Sequence, residues 1–245
     1  RPSAPLSLNR RRGLIATVAE AIGPLRGYLQ IFVDDRSILI YSRTMNTATI
    51  PASTDVRENI LTTGQRLMAG KGFSAVGLSE ILAEAGVPKG SFYHYFGSKD
   101  AFGEALLENY FDSYLADLDD VLSQSGRTMA QRLLNYWEVW RDTQSFSDCQ
   151  GKCLAVKLAA EVADLSEAMR LSIKRGTSGI VSRLARAIEA GVAEGSLVID
   201  ADADTVAQSL YQLWLGASIM VKISRTTQAF DIAMATTRGV LHLPA

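Results

Sequence analysis

Between Ala85 and Lys99 the chain carries Lys89, His94 and Lys99 and no acidic residue. This is a local positive face in a molecule whose formal net charge is only −1, so any attraction for a polyanion must be local. Lys89 and Lys99 bring charge to phosphate oxygens, Tyr93 and His94 bring donors, and Gly90 permits close backbone approach. Lys89, Gly90 and Ser91 would be the first residues of a helix, the end that meets base edges and phosphates when a recognition helix lies in a major groove. Lys99 would add its charge to the dipole of the following helix at one phosphate. Phe92 and Phe96 are assigned to the core, and Tyr93 and His94 to phosphate.

A second chemistry is carried by sulfur. Cys153 follows Gly151 and Lys152 at the predicted start of a helix, with Lys157 one turn on. A helix N-terminus and nearby ammonium groups lower a thiol's pKa, and the thiolate attacks electrophiles or is oxidised to sulfenic acid. A small buried hydrophobe is the alternative. Cys149 is an optional second thiol. Lys222 stands alone after the uncharged run from Thr205 to Val221, where burial would favour a neutral amine able to trap an oxidised Cys153, unless the side chain reaches out to solvent. Tyr136, Trp137 and Trp140 concentrate large aromatics that either line a pocket or fill a core. Histidine occurs only at His94 and His242, which leaves a thiol enzyme without a well-placed base. No Walker loop, dinucleotide fingerprint or metal cluster is visible, so no enzyme activity, cofactor or metal is expected.

These groups need elements to hold them. From Thr54 onward the pattern is helical, with repeated Ser, Thr and Asp start signals and no apparent sheet. Helices are predicted at 55–69, 78–84 and Lys89–Tyr95, the last two joined by Ala85-Gly86-Val87-Pro88. That tight link suits a helix-turn-helix, because Gly86 supplies a backbone shape costly for other residues and Pro88 presets the next helix. Ile81, Leu82, Ala85, Val87 and Phe92 would form its small core. A long helix is predicted from Ser98 to about Ser123. Thr128 with Gln131 reads as a capping box, Ser166 with Met169 as another start, and Thr227 opens the last of about nine helices. The expected class is all-α: a three-helix DNA-binding domain at 55–100 and a helical sensing and dimerisation domain at 101–245.

Residues 1–54 differ, with seven Arg, no Lys and three acids, and read as a poorly ordered extension; translation starting near Met45 is one reading of it. The 47% apolar composition is enough for a proper core, whereas the longest uncharged run is too short and too polar for a bilayer span. Two cysteines four residues apart do not make a disulfide framework, and the cytoplasm is the expected location. Val206, Leu210, Leu213, Ala217 and Met220 recur at helical spacing, and Phe230, Ala233, Met234, Thr237 and Leu241 continue the stripe. Two helices per subunit would then meet those of a mate, with Leu210, Leu213, Ala217, Met220, Phe230 and Met234 at the interface of a homodimer. The alternative is that both helices bury one face in their own domain.

The run from Gly86 to Lys99 closely resembles the helix-turn-helix signature of TetR-family repressors. That resemblance extends over roughly residues 55–243 and implies that Ser79, Lys89, Gly90, Ser91, Tyr93, His94 and Lys99 contact double-stranded operator DNA. Gly77-Leu78-Ser79 departs from the Thr or Arg often found at the entry of the second helix. The stretches Cys153 to Glu167 and Leu213 to Arg225 resemble a branch of the family in which the cysteine at the position of Cys153 senses electrophiles and oxidants, and its modification releases DNA. The resemblance implies a transcriptional repressor with a near-palindromic operator. A same-fold alternative is a repressor released by a lipophilic effector bound noncovalently against Trp137 and Trp140.

Overall fold

The computed structural model describes residues 33–34, 37–38, 52–144 and 153–243. Nine helices occur among them: α1 (Ala52–Lys71), α2 (Leu78–Ala85), α3 (Lys89–Tyr95), α4 (Lys99–Leu122), α5 (Met129–Gln144), α6 (Leu154–Leu165), α7 (Glu167–Ala193), α8 (Ala203–Ser224) and α9 (Gln228–Val240). They belong to one compact unit, residues 50–245; residues 1–49 form another. In that first unit β1 (Val33–Asp34) pairs antiparallel with β2 (Ser37–Ile38), Val33 opposite Ile38. From Thr54 onward, where none was expected, no strand occurs among the described residues. Residues 52–54 of the expected extension open α1, and its remainder lies outside the described residues.

Local chemistry sets the helix ends. Gly86 closes α2 at φ +67°, a left-handed conformation that costs glycine little, and its N–H donates back to the helix. Ser98 caps α4 by accepting from the Ala101 N–H at 3.1 Å, and Asp202 caps α8 from Thr205 at 2.8 Å. Thr128 and Gln131 make the reciprocal box, at 3.3 and 3.0 Å. Ser166 accepts from Met169 at 3.4 Å. Thr227 does open α9, but with its backbone carbonyl, which accepts from the Phe230 N–H at 2.8 Å, rather than with its hydroxyl.

The helices pack as a layered bundle in which α7 lies along α4, α5, α6 and α8, while α9 covers α8. Gly176 makes the α4–α7 crossing possible: a Cβ there would lie 2.1 Å from the Phe111 ring. The head, α1 to α3, is anchored on α4 by aromatic contacts. The Phe92 and Phe96 rings sit 5.4 and 5.0 Å from Phe102, and all three are buried. Burying a side chain of this size contributes roughly 1.5–3 kcal/mol, so the head's orientation is tied to the long helix. Among the described residues no helix is long and apolar enough to cross a membrane.

Candidate functional site

The head presents one polar face. Ser79, Lys89, Gly90, Tyr93 and His94 are exposed and Ser91 is half-buried, all on α2 and α3, while the same two helices bury Ile81, Leu82 and Phe92 on the other side. Tyr93 is 49% exposed although it sits beside the fully buried Phe92, and the Lys89 ammonium lies 5.8 Å above its ring. The aromatic run thus splits between core and surface. Lys99 differs from the other six residues expected at DNA: its ammonium donates to the Phe73 carbonyl at 2.9 Å and stands 4.6 Å over the Phe73 ring. One of the three N–H donors of this ammonium thus braces the α1–α2 turn.

Three residues that sequence reasoning passed over support this face. Asn59 of α1 donates to the Ala85 carbonyl at 2.9 Å and ties the helix-turn-helix bend to α1. Arg57 lies 5.5 Å over the Phe96 ring and is exposed beside the same face. Arg66 pairs with Glu84 at 2.7 Å. None belongs to the signature run, and each was hidden because its partner lies on another helix. Asn59→Ala is expected to lower stability by ~1 kcal/mol, the usual net worth of one such bond, read as a shift of the urea midpoint; an unchanged midpoint would mean that water replaces the amide.

In the body, Cys153 occupies the N-cap position of α6 and is a free thiol, 6% exposed. It lines a cavity of about 290 Å3 together with Tyr110, Tyr114, Tyr136, Trp140 and Gln144. Burial pushes the thiol above its ordinary 9.0; the Val156 N–H, the Tyr110 hydroxyl, the Ala155 N–H and the Lys222 charge pull it down without prevailing. This corrects the expectation of a ready thiolate, because desolvation outweighs the helix end. The ammonium that acts on Cys153 is that of Lys222, whereas Lys157 acts on Glu161. Cys149, Gly151 and Lys152 lie outside the described residues.

Burial likewise pushes the phenols of Tyr110, Tyr114, Tyr136 and Tyr211 above the ordinary 10.0, so all four remain protonated donors at neutral pH. Tyr114 and Tyr136 share a hydrogen bond of 2.8 Å, while the Tyr211 hydroxyl and the Gln144 carbonyl are buried without a partner. Tyr136 and Trp140 line the cavity. Trp137 does not: its indole stacks on Trp214 at 4.9 Å in the packing between α5 and α8. Tyr110 and Tyr114, four residues apart on one face of α4, were legible as a pair, but their spacing looks the same as ordinary core.

The apolar stripe on α8 and α9 also needs correction. Leu210, Ala217, Phe230 and Met234 are buried within their own chain, Leu213 is half-buried, and only Met220 is exposed, at 50%. The face left open carries Gly216, Ile219, Met220 and Ile223 of α8 and Ile232 of α9, the three isoleucines being 48%, 69% and 58% exposed in chain order. Met220 apart, the stripe read from the sequence packs within the chain, where α8 lies against α7 and α9.

Comparison with known proteins agrees with this geometry. Residues 60–106 match the family described as bacterial regulatory proteins, tetR family, and residues 130–237 match the tetracyclin repressor-like C-terminal domain. The HTH-type transcriptional repressor NemR of Escherichia coli is 40% identical over 78% of this chain and 96% of its own length. The repressor DhaR of a Mycobacterium species is 32% identical over 74% of this chain and 89% of its own. A crystal structure of reduced E. coli NemR superposes with a TM-score of 0.74 at 41% identity, covering 78% of this chain and 99% of that one.

Proposed function

We infer that this chain, which belongs to the tetR family of bacterial regulatory proteins, is a dimeric transcriptional repressor released from a near-palindromic operator when an electrophile or oxidant modifies Cys153. DNA binding rests on the exposed face of Ser79, Lys89, Gly90, Ser91, Tyr93 and His94. The open face of Gly216, Ile219, Met220, Ile223 and Ile232 supports a twofold four-helix contact, since small and apolar residues on two adjacent helices let a mate approach closely. Such a pair sets two recognition helices roughly 34–36 Å apart in successive major grooves. Repressor and operator then share the cytoplasm.

The observation that carries the sensing step is Cys153, placed at once in the wall of a cavity and at the N-cap of α6. The name of the 40% identical relative describes a repressor, and a structure of that relative is described as a reduced form, which supports a thiol-dependent state. For a conjugated carbonyl compound, Sγ bonds to the β-carbon, the π electrons move to the α-carbon, and that carbon takes up a proton to replace the one lost by the thiol. For hypochlorous acid, the thiol becomes a sulfenic acid as chloride leaves, and the Lys222 amine can displace water to give a sulfur–nitrogen bond. Either product changes the N-cap of α6 and the space in front of it.

Cys153→Ser is the test, because serine is itself a favoured N-cap and the fold is retained. A maleimide should release the wild-type protein from operator in a gel-shift titration and leave the serine variant bound. Equal release of both would sink the thiol mechanism and favour a noncovalent effector in the cavity. Because the thiol is raised, its alkylation rate should climb about tenfold per pH unit between pH 6.5 and 8.5, following the thiolate fraction; a rate flat across that window would show a thiolate already formed.

A further inference from the structure

The helix that begins at Cys153 also carries, two turns on, Glu161, which grips the DNA-binding head. Its carboxylate accepts from the Phe73 N–H at 3.0 Å and from the Ser74 N–H at 2.7 Å. These residues lie in the turn between α1 and α2, 88 and 87 positions away in the chain. The Ser74 hydroxyl makes a third bond to the same group. Desolvation alone would raise the carboxyl; the Ser74 hydroxyl, the two backbone N–H groups and Lys157 outweigh it and hold Glu161 below its ordinary 4.5, so the clamp is charged at neutral pH.

The turn is shaped for this grip. Gly72 has φ +94°, and a Cβ there would meet the Glu161 carboxylate at 2.9 Å, so glycine serves both the backbone conformation and the close approach. Phe73 is held in addition by Lys99, and its ring lies against Gly103 of α4, where a Cβ would come within 2.7 Å. Val76, fully buried, follows, and α2 starts two residues later. A displacement of α6 therefore pulls on a rigid turn that leads directly into the helix-turn-helix.

We propose that Glu161 is the positioning residue that couples α6 to the DNA-binding head, carrying displacement from the Cys153 end of the helix to the α1–α2 turn. This rests in part on the sensing role of Cys153, but the clamp itself is independent of thiol chemistry: by reciprocity, operator binding at the head must also be felt in α6.

The experiment is hydrogen exchange by mass spectrometry on the full chain with and without an operator duplex, comparing wild type with Glu161→Ala. In wild type, operator should slow exchange in the peptide spanning α6 by ~5-fold or more, in line with typical coupling between sites, as well as in the head. In the alanine variant the head should still be slowed and α6 should not. Equal slowing of α6 in both proteins would overturn the proposal. Glu161→Gln, which keeps the chain length but sets an amide N–H against the turn's donors, carries the same comparison if the alanine variant does not fold. Maleimide treatment then separates the two readings. If wild type stays on operator after alkylation while α6 protection still depends on Glu161, the clamp stands and Cys153 is not the sensor. If wild type is released and Glu161→Ala is released to the same extent, the clamp is not the route and the proposal fails.

Discussion

Lys89→Ala is expected to weaken operator binding by ~30-fold to ~25,000-fold, since a charged contact to base or phosphate is worth about 1–3 kcal/mol and a dimer loses it twice. The residue is exposed at the first position of α3, with its ammonium over the Tyr93 ring. The substitution therefore leaves the head folded. If Lys89 meets phosphate, the slope of log affinity against log salt should fall by roughly one per subunit; if it reads a guanine edge, discrimination at one operator position should relax instead. Fluorescence anisotropy across a salt series measures both. Unchanged affinity and unchanged slope would remove α3 from the groove and with it the regulatory reading. Lys99→Met makes a useful contrast, because that ammonium is bonded to Phe73 and its loss should also act through the turn.

The second large effect is structural. Trp214→Ala should destabilise the chain by ~3–5 kcal/mol, the usual cost of truncating a large buried aromatic, and should weaken dimerisation with it. Trp214 is fully buried, stacks between Trp137 and Phe230 at 4.9 and 5.7 Å, and donates to the Thr237 hydroxyl at 2.9 Å. It joins α5, α8 and α9 from behind the open face of Ile219, Ile223 and Ile232. Urea unfolding and sedimentation at matched concentration would read the two losses. A change under ~1 kcal/mol would mean that the three helices close over the gap, which a well-packed core does not do.

Much of the head was legible because its signals are local. Gly86 must adopt a left-handed conformation, Ser98 must cap, and a stretch without acids must be positive wherever it folds; each follows from residues within one or two turns. The face chosen by Tyr93 against Phe92 followed from helical periodicity. Where the sequence misled, the missing information was a partner from another helix. That Lys99 also braces the α1–α2 turn emerges only once Phe73 is placed beside it. Trp137 looked like a pocket wall until Trp214 was stacked on it. The α8 stripe was apolar on several faces, and only the positions of α7 and α9 determine which of them is left open.

The amino-acid order by itself determined the helices, the helix-turn-helix bend and the exposed polar face of α2 and α3, since capping, backbone preference and amphipathic spacing act over a few residues. Tertiary structure alone decided the state of Cys153 and the reach of α6. Desolvation depends on what surrounds a group from every direction, and the burial that raises this thiol comes from α4, α8 and the cavity wall. The grip of Glu161 on Phe73 and Ser74 joins residues nearly ninety positions apart, a distance at which no local pattern carries information and only the packed chain does.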